Sequence, residues 1–152
     1  MILIEKVEEY GEKLKNDIAA IKKFVIVCDD SQLAKEVKDY TDSDNIILVG
    51  FIPSHETIGT NVDNVQDVDV MLWLVLEKND SKGGHQATIE SFKRTQLAVK
   101  AIKTQMLNDK PNFSCSNTMK ELEVASFAID PIWGLAGCDG YEINYKLKTP
   151  SY

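Results

Sequence analysis

The chain has 152 residues, 43% hydrophobic and 27% charged, with a net charge of −7 and a pI near 4.8. This balance fits one soluble globular domain over 1–152 with a real core, and it excludes a general nucleic-acid or anionic-membrane binder, which needs a basic footprint against phosphate. No apolar run approaches the ~18–20 residues of a membrane span. The start, Met1-Ile2-Leu3-Ile4-Glu5-Lys6, lacks the basic opening and long apolar centre of an export signal, so a cytoplasmic product is expected. The three cysteines, Cys28, Cys115 and Cys138, have no paired spacing and read as reduced thiols, with Cys28 in the core.

In chain order, the first predicted element is a helix from Ile4 to Lys22, with Ile4, Val7, Gly11, Leu14, Ile18 and Ile21 on one stripe. Phe24-Val25-Ile26-Val27-Cys28 reads as a short apolar strand. Asp29-Asp30-Ser31 then caps a small helix, Gln32 to Tyr40, burying Leu33, Val37 and Tyr40. The cluster Thr41 to Asn45 is turn chemistry, and Ile46 to Ile52 is a second apolar strand broken by Pro53-Ser54-His55-Glu56. The segment Thr57 to Gln66 is compatible with a strand, a loop or a flap.

The centre of the chain is a strand from Val68 to Glu77. Alternation puts Val68, Val70, Leu72, Leu74 and Leu76 on one face and Asp69, Met71, Trp73, Val75 and Glu77 on the other, so a strand covered on both sides is predicted. The polar run Lys78 to Gly84 leads into the longest helix, His85 to Asn108, with a stripe of Ile89, Phe92, Gln96, Val99, Ile102 and Met106 widened by Ala98 and Ala101. Its Lys93–Lys103 side reads as a solvated face, and Pro111 ends it. After a polar connection to Thr118 come a strand, Leu122 to Ile129, an irregular bend, Asp130 to Gly140, and a last strand, Tyr141 to Lys148. The last strand alternates cleanly, as one with a wet face does. The expected fold is α+β: a mixed, mainly antiparallel sheet of four or five strands packed by the N-terminal helix and the long central helix.

Few residues suggest chemistry. Val25-Ile26-Val27-Cys28-Asp29-Asp30-Ser31 resembles the strand-end acidic pair of response-regulator receiver domains, where two carboxylates hold magnesium. A receiver also needs an acceptor aspartate near the position that Trp73 occupies, so Asp29, Asp30 and Ser31 read as a turn and helix cap. Asp63, Asp67 and Asp69 form an acidic cluster without EF-hand spacing, and read as a solvated strand entrance. His55 and His85 lack a nucleophile in a recognised setting, two histidines and scattered cysteines do not make a zinc site, and Ser81-Lys82-Gly83-Gly84-His85 is short of a phosphate-binding loop. No catalytic residue, cofactor or metal is expected.

The most distinctive stretch is Ile129-Asp130-Pro131-Ile132-Trp133-Gly134-Leu135-Ala136-Gly137-Cys138-Asp139-Gly140-Tyr141-Glu142-Ile143-Asn144-Tyr145. With the order of elements, this ending resembles the tail-terminator and tail-completion (minor tail) proteins of tailed phages. The resemblance implies a virion structural protein that forms a ring, usually hexameric, and docks on the tail tube, assembled in the host cytoplasm with itself and other tail or neck proteins as partners. The residues Ile132, Trp133, Leu135 and Tyr141 are the candidate oligomer interface, since apolar groups with an aromatic anchor and no Lys or Arg mark association surfaces. The final strand is expected at a sheet edge. The competing class is a small cytoplasmic enzyme or ligand-binding domain that uses the Asp29-Asp30 strand end.

Overall fold

In the computed structural model the chain runs α1 (Ile4–Asp17), β1 (Ile21–Val27), α2 (Asp30–Lys38), β2 (Ile46–Phe51), β3 (Ser54–Gly59), β4 (Val65–Lys78), α3 (Gly84–Asp109), a 3₁₀ turn (Thr118–Glu121), β5 (Leu122–Leu135) and β6 (Cys138–Pro150). The structure describes residues 1–38, 40, 46–60, 65–79, 82–112 and 118–150; the predicted turn at 41–45, Asp63, Ser81 and Cys115 lie outside the described residues.

The class is α+β. Six strands form one mixed sheet in the order β1-β2-β4-β6-β5, with β3 also paired to β4. Only β1 and β2 run parallel, joined by the α2 crossover; the other pairs are antiparallel. The strand beyond the expected number is β3, formed by part of the Pro53–Glu56 break and the start of the open segment. It continues along the flank of β4 already used by β2: Gly50 pairs with Trp73 and Ser54 with Val70. The chain gains one residue on β4 between those pairs, at Phe51-Ile52-Pro53, where proline has no amide to give the ladder.

Both faces of β4 are covered, as its alternation predicts. Met71, Trp73 and Val75 join the cluster under α1 and α3, while Leu74 and Leu76 join the one under α2 with Val27, Leu33, Val37, Ile47 and Val49. Trp73 is 1% exposed. The Phe24 ring stacks on it at 5.7 Å between centroids, and Tyr10 meets it edge-on at 6.5 Å. Gly11 makes this possible: a Cβ there would overlap the Phe24 ring.

Several boundaries differ from expectation. The first helix ends at Asp17, and Ile21 starts a strand by pairing with Ile46. Ile4 is exposed, and Tyr10 takes a place in the buried stripe. The N-terminal half of α3 is rotated: Ser91 and Thr95 are buried in line with the expected Ala98, whereas Ile89 and Gln96 are exposed. Thr95 donates to the Ser91 and Phe92 carbonyls, so its hydroxyl is satisfied within its own helix and this small side can lie close to the sheet. Cys28 is exposed just past β1, not in the core; Cys138 is buried, and burial pushes its thiol up to about 11.

The largest difference lies at the end of the chain. Asp130 to Gly140 is not an irregular bend: β5 and β6 form one long hairpin, with Leu135 paired to Cys138 across a two-residue loop. Ala136 (φ 52°) and Gly137 (φ 76°) both have positive φ, the signature of the type I′ turn that matches strand twist. Pro131 is tolerated because β5 has no neighbour beyond β6, and the missing amide costs no ladder bond on that side. Accordingly β5 is the edge strand, and β6 lies between β4 and β5. Its polar residues Glu142, Asn144, Lys146 and Lys148 mark a face that α2 does not reach, not an edge.

Two stability tests follow from this packing. Trp73→Ala should cost ~3–5 kcal/mol by denaturant unfolding, the range for a deleted core aromatic, and Trp133→Ala much less. Ala136→Gly should stabilise by about 0.5–1 kcal/mol, because alanine pays a steric penalty at positive φ that glycine does not; an unchanged or lower unfolding midpoint would refute the turn assignment.

Candidate functional site

The hairpin is the feature of greatest interest, and its outer end is built from a buried carboxylate. Asp139 is 0% exposed. Its Oδ1 accepts the Gly134 amide at 2.9 Å and its Oδ2 accepts the Asn79 side-chain amide at 2.7 Å, while the Asn79 backbone amide donates to the Gly137 carbonyl at 2.9 Å. Between Ile132 and Leu135 the register shifts by one residue, with Gly134 at φ 70°. This is a glycine bulge locked by Asp139, and the Asn79 bonds fix the hairpin end to the chain just past β4.

The four predicted interface residues are not one patch. Ile132 and Leu135 pack against the α2-side cluster together with Cys138. Tyr141 packs on the opposite side, where Phe92 of α3 meets its ring edge-on at 5.6 Å. Trp133 alone is outside, 80% exposed, in the bulge that Asp139 holds. Apolar side chains on both sides of the hairpin thus anchor it, and the anchored arm presents one large aromatic to solvent.

The base of the hairpin carries a second irregularity. Between Glu123 and Ala128 the edge strand bulges, and the Ser126 hydroxyl stands in for a ladder group: it accepts the Lys146 amide at 2.8 Å and donates to the Glu123 carbonyl at 2.6 Å. Bulges and a proline on an edge strand discourage indiscriminate pairing with other strands.

The other singled-out residues are structural. Asp29 caps α2: its Oδ1 accepts the Gln32 amide at 2.9 Å and the Ser31 hydroxyl at 2.7 Å, and the Gln32 bond, then the Ser31 bond, lower its pKa. Asp67 and Asp69 are not a solvated entrance. Asp69 is buried, accepts the Ile2 amide at 2.9 Å, and lies 3.0 Å from His55 Nδ1; Asp67 lies 3.7 Å from His55 Nε2 and accepts the Thr57 hydroxyl at 3.1 Å. His55 is therefore on strand β3, paired with Asp69 across the ladder, rather than in a break between strands. The sequence signal for this pairing is only the strand register, which needs the turn between β3 and β4 to be known. Among the described residues, no serine, threonine or cysteine hydrogen-bonds His55, and no group of His, Cys, Asp and Glu is arranged to hold a metal. Glu77, at the other polar end of β4, takes a bidentate bond from Arg94 of α3, with Nη2–Oε1 at 2.6 Å. Lys78 Nζ, unremarked in the sequence, donates to the carbonyls of Val37, Lys38 and Tyr40 and closes the end of α2.

No helix among the described residues is long and apolar enough to cross a membrane. No family model matches the chain, and none of the curated proteins is similar enough to count as a relative.

With Asp29 Oδ1 engaged in the cap and Trp73 buried at the place where a receiver needs its acceptor aspartate, the strand end should not accept a phosphoryl group. Incubation with acetyl phosphate and magnesium should leave the intact mass unchanged; a stoichiometric adduct would contradict this account.

Proposed function

We propose that the chain is a structural protein that works by self-association, of the tail-terminator or tail-completion kind, forming a ring that docks to a tail tube and neighbouring neck proteins in the host cytoplasm. One observation carries the reading. An 80%-exposed tryptophan stands at the end of an arm where its apolar neighbours Ile132, Leu135 and Tyr141 are packed, and that end is pinned by a buried carboxylate. Exposing a large aromatic to water has no folding benefit, and rigid aromatic anchors are the side chains that most often dominate interfaces. A preorganised anchor also lowers the entropy lost on association. The arrangement of Asp29 as a helix cap supports assembly over strand-end chemistry.

The test is the assembled mass. In multi-angle light scattering the wild type should exceed the 17.1 kDa of one chain, increasingly so with concentration or with tail tubes present. Trp133→Glu should keep the circular-dichroism spectrum and lose the assembly. A wild type that stays monomeric under all these conditions would rule the reading out.

A further inference from the structure

We propose that Trp133 of one copy docks into a pocket at the far end of the sheet of a second copy, beside Leu3 and Lys120; the inference rests on the self-association reading and names the receiving surface. The pocket has a volume of about 230 Å³ and is formed by Ile2, Leu3, Lys6, Asp69, Lys120 and Leu147 among others. That is below the ~300–1,000 Å³ of sites for drug-sized ligands and of the order of one large side chain. Its wall is apolar and open: Leu3 is 63% exposed. The one buried charge in it, Asp69, is already taken by the Ile2 amide and His55, so what the pocket offers a visitor is an apolar surface with amines at the rim.

Charge points to the same occupant. Residues 129–145 contain no Lys or Arg, and Asp130 and Glu142 are paired neighbours on the hairpin, with Asp130 three residues along β5 from Trp133. The pocket rim carries Lys6 and Lys120, opposed there by Glu121. Lys6 rests on Glu9 and Lys120 on the half-buried Glu121, but both lysines face solvent and the pairs are one helical turn or one residue apart, worth little and readily exchanged for an incoming carboxylate.

Position excludes an intramolecular contact. The pocket sits where Asp69 pairs with Leu147, and the hairpin end where Leu76 pairs with Gly140 and Gly140 with Ile132. Seven residues of β4 separate these points, roughly 23 Å at ~3.3 Å per residue. An anchor at one end and its receptor at the other form a heterologous, head-to-tail contact, which repeats until it closes as a ring.

The experiment mixes two defective copies. Leu3→Glu and Trp133→Glu, each alone and each folded by circular dichroism, should weaken assembly by roughly thirtyfold or more, as loss of a hot-spot anchor does; Lys120→Glu should weaken it less. Mixed one to one, the Leu3→Glu copy supplies an intact Trp133 and the Trp133→Glu copy an intact pocket, so a single junction forms and the mass should stop at twice 17.1 kDa. If Leu3→Glu and Lys120→Glu assemble like the wild type while Trp133→Glu does not, or if the mixture stays monomeric, the pocket assignment is overturned and self-association stands. A wild type that never assembles removes the reading on which both depend.

Discussion

The ladder between β4 and β6 is the contact on which the other elements depend. It runs from Gln66 opposite Pro150 to Lys78 opposite Cys138 with no break in register. Every layer is attached to it: Met71, Trp73 and Val75 hold α1 and α3 on one side, and Leu74 and Leu76 hold α2 on the other. Gly140 is the condition for this ladder. A Cβ there would run into the Val75 carbonyl oxygen, so any side chain would pry β6 from β4 near the hairpin. Because side chains alternate strictly, a slip of one residue would turn Trp73 away from its aromatic neighbours and expose it.

Three buried carboxylates finish the ends of this ladder, and each joins a different part of the chain to it. Asp69 receives the backbone of Ile2 and His55 of β3, Glu77 receives Arg94 of α3, and Asp139 receives Gly134 and Asn79. A buried charge without partners is expensive, whereas one that accepts two or more hydrogen bonds fixes what it binds. On the helical layer Asp109 has a similar role, bonded by Tyr10 at 2.9 Å and Lys13 at 2.6 Å, so the middle of α1 is tied to the end of α3. The acidic residues that look like a solvated surface in the sequence are thus, in part, the fasteners of the fold.

What was legible in the sequence follows from what each signal measures. Strict period-two alternation gave both faces of β4 and the buried side of β6, because it reports which residues face a core. The same alternation is silent on position: a wet face on β6 reads like an edge, although β6 lies between β4 and β5, because alternation says nothing about how many neighbours a strand has. In α3 the apolar stripe holds at Phe92 and from Ala98 to Met106 but not at Ile89 and Gln96, because the buried Ser91 and Thr95 are small and, for Thr95, self-satisfied, so their burial leaves no hydrophobic signature. The hairpin was hidden by its own turn chemistry. Asp130-Pro131 and three glycines read as loop, whereas Pro131 uses an edge, Gly134 makes a bulge and Ala136-Gly137 turn the chain. The prominence of Trp133 was visible in the sequence; the separation of Ile132, Leu135 and Tyr141 onto two faces required the register.

The functional account comes down to a rigid arm, since a floppy hairpin would offer Trp133 no preorganised direction. Hydrogen–deuterium exchange reads that rigidity amide by amide. The account predicts that the Gly134 amide, held by buried Asp139, exchanges as slowly as amides in the middle of β4, and that Asp139→Asn speeds it markedly while those of β4 stay protected. Exchange of Gly134 in the wild type at the rate of an open loop would contradict it.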